Sequence, residues 1–219
     1  MRTLGLAASA AVLLSAGTAF AGPVTLNLFN ATDGLLGASV TFGTTPSLTT
    51  RAGTYSGATT SLPNGEQLYS ENDGPDKQGL GVCKSTGSFN GACLNGSNTQ
   101  EVNQGNELVQ LDLVSLAGYG SFFINIDSAT GGEKASVYES NSASSLGTFV
   151  GFVASADNDF SLGDLVGFRY LNVIASSGDV LVHSVTATQK ESDPVAEPTM
   201  IALLGSGLLA FGLVRRRRA

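Results

Sequence analysis

The chain has 219 residues, a formal net charge of −7, one histidine, two cysteines and no tryptophan. Between residues 22 and 195, six basic residues stand against seventeen acidic ones, a formal −11. Such a body repels phosphate backbones, which argues against a nucleic-acid partner, and one histidine with two cysteines makes a zinc site improbable.

The N-terminus reads MRTLGLAASAAVLLSAGTAFAG. Arg2 supplies a short positive region. Leu4 to Ala16 form an apolar stretch too short to span a bilayer, and Ala19-Phe20-Ala21 gives a small-x-small cleavage site. These parts in this order predict a secretory signal peptide over residues 1–21, with Gly22 as the mature start. The body at 22–190 is then exported.

Short alternating runs predict strands along this body. "VTLNLFN" (24–30) alternates around Leu26 and Leu28. Ala38 to Phe42 forms a further candidate. Residues 31–75 are otherwise poor in pattern, and "TTRAGTYSGATTSLPNGEQ" reads as loop with one edge strand. "LVQLDLV" (108–114) sets Val109, Leu111 and Leu113 on one face, with Gln110 and Asp112 on the other. "SFFINIDS" (121–128), "ASVYES" (135–140), "GTFVGFVAS" (147–155), "GFRYLNVIAS" (167–176) and "DVLVHSVTAT" (179–188) complete the set. "SADNDFSLGDL" (155–165) reads as containing one helical turn, and Ser177-Gly178-Asp179 as a tight hairpin connection. Short strands with frequent turns predict an all-β fold, an antiparallel β-sandwich.

Cys83 and Cys93 are the only cysteines. In an exported chain an even pair predicts one disulfide; two buried free thiols are the other reading. His183 alternates with Leu181 and Val185, which suits a structural histidine on an inner or edge face. No Gly-x-Ser-x-Gly elbow accompanies it to make a hydrolase. Glu101 with Glu107, or Asp157 with Asp159, are the carboxylate pairs that a glycosidase would need; solvated loop faces are the competing reading. The same acidic loops are weak calcium candidates through Asp73, Asp76, Glu101 and Glu107, supported by Glu71, Asn72, Asn103 and Asn106, because calcium takes oxygen ligands. Turn residues bonding their own backbone are the preferred reading of these acids. No other cofactor is expected.

Residues 191–198 form a linker, and Thr199 to Val214 run sixteen residues without a charge. As a helix that run is roughly 24 Å long, a short membrane span. Arg215, Arg216, Arg217 and Arg218 follow, in the 215–219 tail, and stop transfer on the cytoplasmic side. Ala202, Ser206 and Ala210 lie four apart, so they share a face.

This tail resembles a PEP-CTERM sorting signal, in which a Pro-Glu-Pro-type motif precedes a short transmembrane helix and a terminal arginine cluster. Glu197 and Pro198 match the second half of the motif, while Ala196 stands where its first proline belongs. The resemblance implies recognition by an exosortase, processing near Glu197-Pro198, and delivery to the surface or extracellular matrix of an exopolysaccharide-making Gram-negative cell. The run "GLGVCKS…EVNQGNELVQLDL" (79–113), with "VYESNSASSLGTF" and "YLNVIASSGDVLVHSVTA", is similar to the jelly-roll-like body of many such proteins. A structural or adhesive role linked to exopolysaccharide is implied. The alternative is a carbohydrate-binding module, calcium-dependent or not, using exposed aromatics from among Tyr55, Tyr69, Tyr119, Tyr138 and Tyr170.

Overall fold

The computed structural model describes residues 22–62, 65–75, 77–83, 100–127, 132–154, 160–163 and 167–190. Ala19, Ala21, Asp76, Cys93, Asp157, Asp159, Glu197, Pro198, the apolar run 199–214 and Arg215 to Arg218 lie outside them.

Among the described residues, fourteen strands form two antiparallel sheets. They are β1 (Val24–Asn27), β2 (Gly34–Gly37), β3 (Ser39–Phe42), β4 (Leu48–Ser56), β5 (Thr59–Ser61), β6 (Gln67–Asn72), β7 (Gln78–Cys83), β8 (Glu107–Asp112), β9 (Tyr119–Asp127), β10 (Lys134–Ser140), β11 (Thr148–Ala154), β12 (Phe160–Gly163), β13 (Tyr170–Ser177) and β14 (Leu181–Gln189). The first sheet runs β12-β9-β14-β7-β6-β2, with β1 also paired to β14. The second runs β11-β10-β13-β8-β4-β3, with β5 also paired to β4. The sheets stack as a β-sandwich, and strand alternation supplies one core from both inner faces. Leu68, Leu80, Ile124 and Val182 come from the first sheet, and Ala52, Val109, Leu111, Leu171 and Val173 from the second.

Three segments depart from the sequence expectation. Residues 31–75 hold five strands, and β4 is an interior strand paired to β8 over Thr49–Thr54. Its inward residues include Thr50 and Ala52, which are buried without being large and apolar, so no hydrophobic period announces them. Phe160–Gly163, expected near a helical turn, forms edge strand β12, whose backbone finds its partners on β9. Ser177-Gly178-Asp179 is no hairpin, because β13 and β14 lie in different sheets; Gly178, at φ +67°, turns the chain across the sandwich.

Two chain segments strap the outer faces. On the first sheet, residues 100–102 cross β7, and Val102 exchanges backbone bonds with Val180 at 2.8 and 3.0 Å. The crossing is so close that a Cβ on Gly81 would sit 1.6 Å from the Gln100 carbonyl oxygen. On the second sheet, the link between β10 and β11 covers Gln110 and Asn172. The Gln110 amide donates to the Ala143 carbonyl and to Asn172 Oδ1, and the Asn172 amide donates to the Ser145 and Leu146 carbonyls. Both amides are fully buried, and their hydrogen bonds offset the desolvation that burial costs.

Candidate anion-binding end and internal ion pairs

The outward residues of β4, β8 and β13 converge at one end of the second sheet. Register sets Arg51 opposite Gln110 and Asp112 opposite Tyr170. Arg169 precedes β13 and donates to Asp112 through Nε to Oδ1 and Nη2 to Oδ2, both at 3.0 Å. Arg51 Nη2 reaches the same Oδ2 at 3.4 Å, and the Val114 amide donates to Oδ1 at 3.2 Å. Burial pushes the Asp112 carboxyl up, but these hydrogen bonds and the two guanidinium charges outweigh it and hold the group below the usual carboxylate range.

Both guanidiniums lie over the Tyr170 ring, Arg169 at 4.9 Å and Arg51 at 6.0 Å from its centroid. Two cations thus share one carboxylate and one aromatic ring, with one positive charge in excess. The Arg169 side chain stays 49% exposed and that of Arg51 30%, against 4% for Asp112. The excess charge therefore faces solvent.

Beside Arg169 opens a cleft of about 390 Å³. A 3₁₀ turn at Leu113–Leu116 forms one wall, and Phe122 and Phe168 line it further. Lys190, at the end of β14, adds a second cation to Arg169 at its rim. Asp112 caps the turn through the same Val114 amide, so one carboxylate orients both the turn and the arginines. Three of the body's six basic residues gather at this end of an otherwise acidic domain.

Four of the acidic residues singled out for calcium or glycoside chemistry, Glu71, Asp73, Glu101 and Glu107, are described. Lys77 Nζ stands between Glu71 Oε1 and Glu101 Oε1, the latter at 3.4 Å. The chain's own ammonium thus bridges one carboxylate from each of the two acidic loops. Burial pushes both carboxyls up against the pull of Lys77. Glu107 is buried and accepts from the Asn103 amide at 3.1 Å, closing the turn before β8. Asn106, at φ +76°, completes that turn. Asp73 is exposed at a turn whose backbone bonds to Lys77. Among the described residues no group of three or more His, Cys, Asp or Glu side chains could hold a metal ion.

His183 sits at a bulge, skipped between the pairs Val182–Ile126 and Ser184–Asn125. The bulge breaks the expected alternation with Val185. Val185 enters the core, while His183 turns to the Gln78 carbonyl (2.9 Å), the Asp127 carboxylate (3.7 Å) and the Phe29 ring. Cys83 is fully buried beside Tyr69, and no described cysteine is a free thiol.

Of the five tyrosines, Tyr69 is buried, Tyr170 lies beneath the arginines, Tyr119 lines the cleft, and Tyr55 and Tyr138 pack on the outer face of the second sheet. Sequence reasoning passed over Arg51 and Arg169. Their signal was a lone arginine in each of two otherwise uncharged segments, "TTRAGT" and "GFRYLNV", matched by the single acid of "LVQLDLV".

No family model, no curated protein and no solved structure matches this chain.

Proposed function

We propose that this chain is an exported surface or extracellular-matrix protein, sorted by an exosortase through Glu197 and Pro198, whose β-sandwich acts adhesively by holding acidic polysaccharide at the Arg51–Arg169 end. The sorting half rests on the order of cleavable leader, acidic-proline motif, apolar run and arginine block. The binding half rests on one observation: two guanidiniums share a single carboxylate over Tyr170. A guanidinium forks readily onto a second carboxylate, such as that of a uronic acid. Here its plane is fixed in advance by Asp112 and the ring. Lys190 extends the positive surface along the cleft, and the exposed Val114 and Phe168 offer apolar contact to a sugar face.

Titration of the purified protein against polygalacturonate and against neutral dextran tests this reading. Binding to the polyuronate alone, weakening as salt rises and lost in Arg51→Ala/Arg169→Ala, is the expected result. Equal affinity for both polymers, or an unchanged titration in the double variant, refutes the anion-binding role.

A further inference from the structure

The free edge of the second sheet points to a partner of a different kind. β11 is its last strand, paired on one side to β10 and on the other to no described strand. Its pairing skips Val150: Gly151 faces Val137 and Phe149 faces Tyr138. That bulge resets the alternation, so Phe149 and Phe152 both fall on the outer face, while Val150 and Val153 both pack on the core. The two phenylalanines are 46% and 56% exposed. Their ring centroids lie 4.9 Å apart, and Tyr138 continues the row at 5.4 Å from Phe149.

Edge strands usually carry a charge or a proline that blocks pairing with another chain. The sequence TFVGFVA carries neither. Elsewhere the body's formal −11 repels a second copy, but this strand is uncharged. Its pattern is also self-complementary. A two-fold axis between Val150 and Gly151 would set Phe149 opposite the second copy's Phe152, and Phe152 opposite the second copy's Phe149. All four rings would then lie on the outer face, with Val150 and Gly151 facing inward across the same axis. Residues directly opposite in an antiparallel pair share a face, and this register satisfies that rule at every one of these positions.

We propose that two copies of this chain associate through antiparallel pairing of β11, joining their second sheets into one continuous sheet roofed by Phe149 and Phe152 from both.

Sedimentation of the protein at several concentrations reads the association. The wild type is expected to run as a dimer, and Phe149→Lys/Phe152→Lys as a monomer with its dissociation constant raised more than about tenfold. Phe149→Glu/Phe152→Lys sets Glu opposite Lys twice in this register, and is expected to restore the dimer. Thermal melts of each variant separate loss of association from loss of folding. A wild type that stays monomeric at every concentration, or a dimer that survives the double lysine variant, overturns the proposal. So does failure of a folded Glu/Lys variant to recover association. Binding of the monomer to neutral polysaccharide through the same rings would also count against it.

Discussion

Arg169 grips Asp112 with two parallel hydrogen bonds, each 3.0 Å long, from a side chain that is half exposed to one that is almost fully buried. Removing the acid leaves Arg51 and Arg169 facing one another over Tyr170, and strips the cap from the Leu113–Leu116 turn. Asp112→Ala should cost about 1–3 kcal/mol. The exposure of Arg169 keeps this below the roughly 3–5 kcal/mol of a fully buried pair. Arg169→Ala should cost less, because Arg51 and the Val114 amide still satisfy the carboxylate. Chemical denaturation of the two variants checks the order. The folded-state value of Asp112 is depressed, so its contribution is present above the usual carboxyl range and is lost as pH falls through that depressed value.

The Glu71–Lys77–Glu101 group has the opposite sign. Burial raises both carboxyls, so the folded state holds their protons more tightly than the unfolded chain does. Their ionisation therefore works against folding, and their contribution improves as pH drops from neutral toward the ordinary carboxyl range. Lys77→Met removes the shared cation and leaves two buried carboxylates side by side. It should lower stability by about 3–5 kcal/mol at neutral pH, with much of the loss recovered by mild acidification. Melting temperatures of Lys77→Met and Glu101→Gln across that range decide the matter. The glutamine variant should show the flatter profile.

Gly81 and Gly147 are required for different reasons. At Gly81 the backbone of the first strap passes where a side chain would stand. Gly147 has φ +89°, and a Cβ there would lie 2.0 Å from the Glu139 carbonyl oxygen. Alanine at either position should cost about 3 kcal/mol or more, since backbone must move. Gly118→Ala, with nothing within 4 Å, should stay within about 0.5 kcal/mol of wild type. If Gly81→Ala melts like Gly118→Ala, the close crossing at residues 100–102 is wrong.

Strands β8, β9, β10 and β13 were legible because each buries a period-two apolar set in one core. β4 was not, since Thr50 and Ala52 face inward where large apolar residues would have shown the period. Gln110 and Asn172 have the composition of solvent-facing residues, yet the second strap seals them, and only the fold brings residues 143–146 over them. The basic end was hidden for a related reason. Arg51 and Arg169 are distant in sequence, and the β4-β8-β13 register alone places them on one carboxylate. The bulges behind His183 and Phe152 shift the side-chain phase by one residue, which an alternation argument reads as the wrong face.

The two ends and the cysteines make a joint prediction, because all follow from the export proposed above. Mass spectrometry of the chain from its native host should find Gly22 at the N-terminus, no Arg215–Arg218 block, and a peptide in which Cys83 is bonded to Cys93. Cys83 is fully buried beside Tyr69 and is not free, as such a bond requires. Closing a loop of about ten residues should contribute about 2–3 kcal/mol by restricting the unfolded chain, so a reductant should lower the melting temperature. Cys93→Ser should reproduce that drop without reductant. A mature chain that begins at Met1 and keeps its arginines removes export, and with it the oxidising compartment on which the Cys83–Cys93 bond depends.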